Sequence, residues 1–184
     1  MKIPAWKYYL SYLFEFRIED ASSRYNPDLY LLLRKGRFQL CTANAIYSYA
    51  DLYTNFSRAF AQLDLERLSG REVLVLGLGL GSIPYMLEKS HGPVFSFTTV
   101  EIDEVVIDLA NRYVLQELDS SISSLCADAS LYVQQTGQQF DLICVDIFDD
   151  DKIPSQFESQ DFLQALKQRL NPEGLVLYNR LAAN

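Results

Sequence analysis

Residues 73–82 read Val73-Leu-Val-Leu-Gly-Leu-Gly-Leu-Gly-Ser82, an uninterrupted apolar run followed by three alternate glycines. Such a run is typical of a parallel strand that is buried on both faces. The glycines permit a sharp turn and a close approach of the backbone to a ligand. Further along, Val100-Glu-Ile-Asp103 places an acid at the tip of a second predicted strand. This order predicts a nucleoside-cofactor site in which Glu101 accepts hydrogen bonds from both ribose hydroxyls.

The spacing of the glycines distinguishes between cofactors. A dinucleotide-binding turn requires G-x-G-x-x-G. Its third position here is Ser82 when counted from Gly77, and Pro84 when counted from Gly79. The pattern is instead G-x-G-x-G, which Gly81 completes. A tight strand-to-helix turn without any ligand is the alternative interpretation, and the acid one strand away argues against it.

Two parts of the chain differ in their patterns. From residue 71 onward predicted strands and helices alternate, which implies β-α-β units and a parallel sheet. Residues 1–50 are rich in aromatic residues and contain a predicted hairpin around Gly36. We therefore predict an α/β fold, with a small N-terminal antiparallel β-hairpin unit over residues 1–50. A doubly wound, mostly parallel Rossmann-like core is expected over residues 51–184.

Periodicity and turn signals give the individual elements. A β-prone segment begins at Tyr8, Tyr25-Asn-Pro-Asp28 is a turn signal, and Asp103 is a candidate N-cap. The predicted core strands cover residues 72–77, 94–100, 122–126, 140–145 and 175–178. The predicted helices cover residues 52–68, 82–90, 104–117, 129–136 and 159–170.

Composition excludes several classes of protein. The net charge of −8 leaves no basic surface for a nucleic-acid backbone, so no nucleic-acid partner is expected. Uninterrupted apolar runs are too short to span a membrane. Three cysteines, Cys41, Cys126 and Cys144, lack the spacing of metal ligands, so no metal is expected. We interpret them as buried free thiols, which suits a cytoplasmic protein.

The motifs of the core resemble those of class I S-adenosylmethionine-dependent methyltransferases, and more closely their spermidine synthase-like branch. Leu76-Gly-Leu-Gly-Leu-Gly-Ser82 is similar to motif I of that superfamily. Thr99-Val-Glu-Ile-Asp103 is similar to the synthase segment whose glutamate binds ribose. Cys126-Ala-Asp-Ala129 is similar to the turn whose aspartate contacts the adenine amine. Phe140-Asp-Leu-Ile-Cys-Val-Asp146, followed by Asp149, is similar to the segment that carries the acidic residues of aminopropyltransferases.

The resemblance implies that S-adenosylmethionine, or its decarboxylated form, binds over Gly77, Gly79 and Gly81. Glu101 would bind the ribose and Asp128 the adenine amine. Two further residues, Ile102 and Ala129, would flank the adenine ring. Asp128 is equally a candidate N-cap of the helix that follows it.

The resemblance also implies an acceptor site. Asp146 would accept a proton from the acceptor, and Asp149 would bind the ammonium group of a diamine. The segment Tyr47-Ser-Tyr49 is similar to the S-Y-Q segment of synthases, which makes Tyr49 a candidate substrate-binding residue. A solvated acidic loop is the alternative interpretation of residues 149–151.

Three departures from the synthase pattern bear on the reaction. Leu80 replaces the acid of the glycine loop, Ala50 replaces the glutamine of the S-Y-Q segment, and Asp150 replaces a proline. These changes favour a methyltransferase of spermidine synthase-like fold that acts on a small acceptor. Aminopropyl transfer to a polyamine and a non-catalytic cofactor-binding role are the alternatives.

The predicted sheet has five strands, whereas a complete class I methyltransferase sheet has seven. An uncovered edge beside the fifth strand would favour association with other chains. We therefore expect a partner chain, in a homodimer, or residues outside this sequence to cover that edge.

Overall fold

The computed structural model describes residues 3–43, 45–148 and 153–180. The N-terminal unit begins with helix α1 (Ala5–Leu10) and continues into an antiparallel sheet in the order β1-β2-β3-β4. The bounds of these strands are β1 (Phe16–Ala21), β2 (Leu29–Arg34), β3 (Arg37–Cys41) and β4 (Ile46–Ser48). Alternate residues of β2 are fully buried, as expected of a sheet with one face on a core.

A second sheet forms the core, in the strand order β7-β6-β5-β8-β9, and its paired strands all run parallel. The strands are β5 (Glu72–Leu76), β6 (Ser96–Glu101), β7 (Ser121–Cys126), β8 (Phe140–Val145) and β9 (Leu170–Tyr178). The helices are α2 (Thr54–Phe60), α3 (Ser82–His91), α4 (Glu104–Tyr113), α5 (Ala129–Gln135) and α6 (Gln160–Gln168).

Both faces of the parallel sheet are covered. Val73 and Val75 of β5 pack against α3 on one face, while Leu74 and Leu76 pack against α5 and α6 on the other. Helix α4 packs against the N-terminal sheet, where Val106 joins the same apolar cluster as β2 and β3. This confirms the predicted α/β fold with a doubly wound Rossmann-like sheet and a small antiparallel unit.

The helix predicted over residues 52–68 is wrong in its length. Helix α2 ends at Phe60, and a separate 3₁₀ turn covers Leu65–Arg67. Phe56 and Leu68 belong to one apolar cluster. In a single straight helix these two residues would lie about 18 Å apart along the axis. The chain therefore has to turn between them to bury both.

Three smaller differences separate the structure from the expectations. The β-prone segment from Tyr8 starts as helix α1, and the strand begins only at Phe16. Strand β9 begins at Leu170 and contains the predicted turn as an irregularity in its pairing with β8, with Glu173 at a φ of 63°. Of the three thiols, Cys126 is exposed, contrary to the interpretation of all three as buried.

Candidate functional site

The glycine turn joins β5 to α3, and its three glycines adopt positive φ angles. A Cβ atom on Gly77, at φ 88°, would lie 2.2 Å from the carbonyl oxygen of Asp146. A Cβ atom on Gly81, at φ 86°, would lie 2.4 Å from the side chain of Leu115. The absent side chains therefore let β5 and α3 pack closely against neighbouring protein segments. Gly79, at φ 53°, faces Ser48 of the N-terminal unit.

A cavity of about 650 Å³ opens at the carboxyl ends of the parallel strands. Its volume is within the usual range for a small-molecule site. Ligands of open α/β sheets bind at this edge. Of the predicted site residues, those that line the cavity are Gly77, Gly79, Glu101, Ile102, Asp128, Ala129 and Asp146. Gly81 is not in the lining, because it begins α3 behind the turn.

Glu101 ends β6, and backbone amides fix its carboxylate. Oε2 accepts hydrogen bonds from the amides of Leu78, at 3.0 Å, and Gly79, at 3.4 Å. Oε1 accepts from the amides of Ile102, at 2.9 Å, and Asp103, at 3.2 Å. Burial raises the pKa of Glu101, and the hydrogen bonds from the amides of Asp103, Leu78 and Gly79 oppose this increase. The carboxylate is thus held in a fixed position beside the glycine turn.

Asp128 follows β7, and its two carboxylate oxygens make different contacts. Its Oδ1 accepts a hydrogen bond of 2.9 Å from the amide of Leu131, so it is the N-cap of α5. Its Oδ2 lies 3.4 Å from the side-chain amide of Gln156 at the cavity wall. Nearby, Ile102 is 40% exposed and presents an apolar surface to the cavity. This part of the wall offers a polar edge and an apolar face, as an adenine ring requires.

Asp146 lies directly after β8, on the opposite side of β5 from Glu101. Its Oδ1 accepts hydrogen bonds from the Tyr53 hydroxyl, at 3.0 Å, and from the Asn179 side-chain amide, at 2.8 Å. The Asn179 amide also lies 3.1 Å from the Tyr53 hydroxyl. Burial raises the pKa of Asp146 to about 6, and the two hydrogen bonds oppose this increase.

A loop of the N-terminal unit covers part of the cavity. Ser23 and Asn26 donate hydrogen bonds to Oδ2 of the buried Asp103, while Oδ1 of Asp103 caps α4 as predicted. Tyr47 donates to the side-chain oxygen of Asn26 at 2.9 Å. These contacts place Arg24, with its neighbours on the loop, in the cavity wall. Apart from the turn signal at Tyr25-Asn-Pro-Asp28, no pattern in the sequence indicates that this loop belongs to the site.

Of the two predicted substrate-binding residues, Tyr49 is described by the structure and is not in the cavity lining. The hydroxyl of Tyr49 lies 3.4 Å from the carbonyl oxygen of Arg34, on the N-terminal sheet. Tyr47 and Tyr53 are the tyrosines of this segment that line the cavity. Asp149 lies outside the described residues.

No group of three or more histidine, cysteine or acidic side chains within residues 3–43, 45–148 and 153–180 is arranged to hold a metal ion. Among the helices of these same residues, none has the length and apolar character needed to cross a bilayer.

Aminopropyltransferases and methyltransferases are both among the known proteins that are similar to this chain. A polyamine aminopropyltransferase of Vibrio vulnificus is 31% identical over 115 residues, which cover 61% of this chain and 38% of that enzyme. An N-terminal histidine N-methyltransferase of Emericella nidulans is 32% identical over 118 residues, covering 60% of this chain and 20% of that enzyme. The chain therefore spans well under half the length of these relatives.

The fold is similar to that of a methyltransferase-like protein of known structure. The crystal structure of human methyltransferase-like protein 13 in complex with SAH superimposes with a TM-score of 0.53 at 26% identity. The match covers 67% of this chain and 61% of the human chain.

The family model described as the spermine/spermidine synthase domain matches residues 54–180, which contain the glycine turn, Glu101, Asp128 and Asp146. This match confirms the resemblance to the spermidine synthase-like branch. The protein belongs to the spermine/spermidine synthase domain family.

Proposed function

We propose that the protein binds S-adenosylmethionine and transfers its methyl group to a small amine, with Asp146 as the proton acceptor. The observation that carries the proposal is the placement of two carboxylates in one cavity. Glu101 is the last residue of β6 and Asp146 directly follows β8, and these two strands pair with β5 on either side. Two strand spacings separate them by roughly 10 Å. That distance suits a ribose at Glu101 and an acceptor at Asp146, with the sulfonium between them over Gly77 and Gly79.

The chemistry requires little beyond this placement. A sulfonium already activates the carbon that is transferred, so alignment of the acceptor contributes most of the rate. An amine acceptor is protonated at neutral pH and must lose a proton before its nitrogen attacks. A carboxyl whose pKa is raised to about 6 is a suitable base near neutral pH.

Aminopropyl transfer is the second candidate, because the family model and the Vibrio relative support it. One residue of the glycine turn argues against it. Synthases commonly have an acidic residue at this position of the glycine turn. This chain has Leu80 there, which is 1% exposed and packs against the N-terminal sheet. That position therefore supplies no charge for the ammonium group of an aminopropyl chain.

Calorimetric titration with S-adenosylmethionine, its decarboxylated form and methylthioadenosine tests the proposal. We expect S-adenosylmethionine to bind more tightly than its decarboxylated form, and methyl transfer to appear on a panel of small amines. Preference for the decarboxylated form, with turnover that depends on putrescine, would select the aminopropyltransferase. Binding without any turnover would select a non-catalytic cofactor-binding protein.

Arg24 provides a sharper test of the cofactor. Among the cavity-lining residues in the described part of the chain, it alone is a lysine or arginine. Its guanidinium lies 4.5 Å from the centre of the Tyr25 ring and donates to the Tyr25 hydroxyl. S-adenosylmethionine carries a carboxylate that its decarboxylated form lacks. We expect Arg24→Gln to weaken S-adenosylmethionine binding about threefold to tenfold, in calorimetry at low salt.

Arg17→Gln is the matched control for Arg24→Gln. Arg17 also stacks on a tyrosine, at 4.7 Å from the Tyr30 ring, but it is not in the cavity lining. We expect Arg17→Gln to leave the binding of S-adenosylmethionine unchanged. We also expect Arg24→Gln to leave the binding of methylthioadenosine unchanged, because that nucleoside has no carboxylate. Equal weakening of methylthioadenosine by Arg24→Gln would show that the arginine does not bind the carboxylate.

A further inference from the structure

Four polar side chains form a connected group at the acceptor end of the cavity. Tyr53 and Asn179 both donate to one oxygen of Asp146, its Oδ1. Asn55, at the start of α2, donates to the side-chain oxygen of Asn179 at 3.2 Å. The Asn179 amide is thereby oriented, with its oxygen engaged and its nitrogen directed at Asp146 and Tyr53.

This arrangement distinguishes the two carboxylate oxygens. Oδ1 has two donors, whereas no hydrogen bond from the described residues reaches Oδ2. A carboxylate held through one oxygen has a fixed orientation, and its other oxygen remains available to a ligand in the cavity that Asp146 lines. Tyr53 stays a donor at any working pH, since burial and the neighbouring Asp146 raise the pKa of its phenol.

We infer that Tyr53 and Asn179 are positioning residues, which hold Asp146 through Oδ1 so that Oδ2 takes the proton of the acceptor. Tyr53 thus has the place in this chain that the family motif suggests for Tyr49, whose hydroxyl contacts Arg34 instead. The base role of Oδ2 rests on the proposed function. The orientation of the carboxylate rests on the geometry alone.

The surroundings of Asp146 make the inference measurable. In the described part of the chain, two titratable groups interact with its carboxylate: the Tyr53 phenol and the thiol of Cys144 on β8. Asn55 and Asn179 are neutral. Because the Tyr53 hydrogen bond stabilises the charged carboxylate, its removal should raise the pKa of Asp146 above its value of about 6.

The experiment is a carbon-13 NMR titration of aspartate carboxyl groups, with the Asp146 signal assigned from its absence in Asp146→Asn. We expect Tyr53→Phe, which removes only the hydroxyl, to raise the pKa of Asp146 by about one pH unit. Asn179→Leu should shift the pKa in the same direction. Tyr49→Phe, the matched control, should leave it unchanged.

Different results would contradict the positioning role and the proposed function. An unchanged pKa in Tyr53→Phe, or an equal shift in Tyr49→Phe, would overturn the positioning role even if the protein binds S-adenosylmethionine. If the protein binds no sulfonium nucleoside, the proposed function is lost, while the carboxyl titration still reports the hydrogen bonds. Where turnover is measurable, the acid limb of its pH profile should shift to higher pH in Tyr53→Phe, by the same amount as the pKa measured by NMR.

Discussion

Asp146→Asn is expected to lower turnover by about 10²- to 10⁴-fold and to make the protein more stable at neutral pH. Asparagine has nearly the same shape and keeps an oxygen that accepts from Tyr53 and Asn179. It cannot accept the proton of an amine. Binding of S-adenosylmethionine should change less than threefold, because the proposed cofactor site is at the glycine turn and Glu101. Single-turnover kinetics and calorimetry measure the two effects separately.

The gain in stability follows from the raised pKa of the carboxyl. Burial raises the pKa of Asp146 from its ordinary value of 3.8 to about 6, so the folded protein holds the proton more tightly than the unfolded chain does. Stability therefore falls as pH rises between about 4 and 6. Above pH 6 the whole cost is present, about 3 kcal/mol. The substitution removes that cost, which corresponds to a rise in Tm of roughly 5–10 °C at pH 7.

The pH dependence separates this explanation from a general packing effect. The extra stability of Asp146→Asn should be present at pH 7 and absent near pH 4, where the native carboxyl is protonated. Turnover of the native protein should rise with pH through about 6, since the deprotonated carboxylate is the proposed base. A variant that keeps its turnover would exclude Asp146 as the proton acceptor.

Asp141 supplies a control on the same strand. It is buried at the opposite end of β8 from the cavity, and its carboxylate accepts hydrogen bonds from the amide of Glu72, at 2.9 Å, and the side chain of Asn171, at 3.0 Å. These donors make it a structural carboxylate. Asp141→Asn should therefore lower stability, the opposite of the effect at Asp146.

The part of the cavity that we assign to the cofactor was predictable as a cluster of residues, because each residue has a local signal. The glycine turn, Glu101 and Asp128 each follow a strand in the sequence, and parallel topology brings the strand ends together. Asn179 obeys the same rule, as it follows the predicted strand 175–178. Its position at this edge of the sheet therefore also has a local signal in the sequence.

The other half of the site depends on contacts between distant segments. Tyr53 reaches Asp146, 93 residues away in the sequence, because the chain turns on either side of α2. Arg24 reaches the cavity because Asn26, two residues further on, is held by Asp103, 77 residues away. No periodicity in residues 20–60 encodes these distances. For the same reason, the motif indicates Tyr49, whereas the tyrosine that reaches Asp146 is Tyr53.

Gly77→Ala is expected to lower the free energy of unfolding by at least about 3 kcal/mol, a large part of the stability of an ordinary domain. Two costs combine at this position. The φ of 88° belongs to the left-handed region that residues with a side chain avoid, and the new methyl group would lie 2.2 Å from the carbonyl oxygen of Asp146. That oxygen belongs to the backbone, so it cannot move aside without displacing the end of β8.

Two other glycines separate these costs by denaturant unfolding. Gly137 has no atom near its missing side chain and no positive φ, so Gly137→Ala should be nearly neutral. Gly92 has a φ of 75° but open space around it, so Gly92→Ala should cost about 1 kcal/mol from the backbone conformation alone. The excess at Gly77 then measures the contact between β5 and the loop after β8. If Gly77→Ala costs no more than Gly92→Ala, that loop yields freely, and it cannot hold Asp146 firmly enough to orient an acceptor.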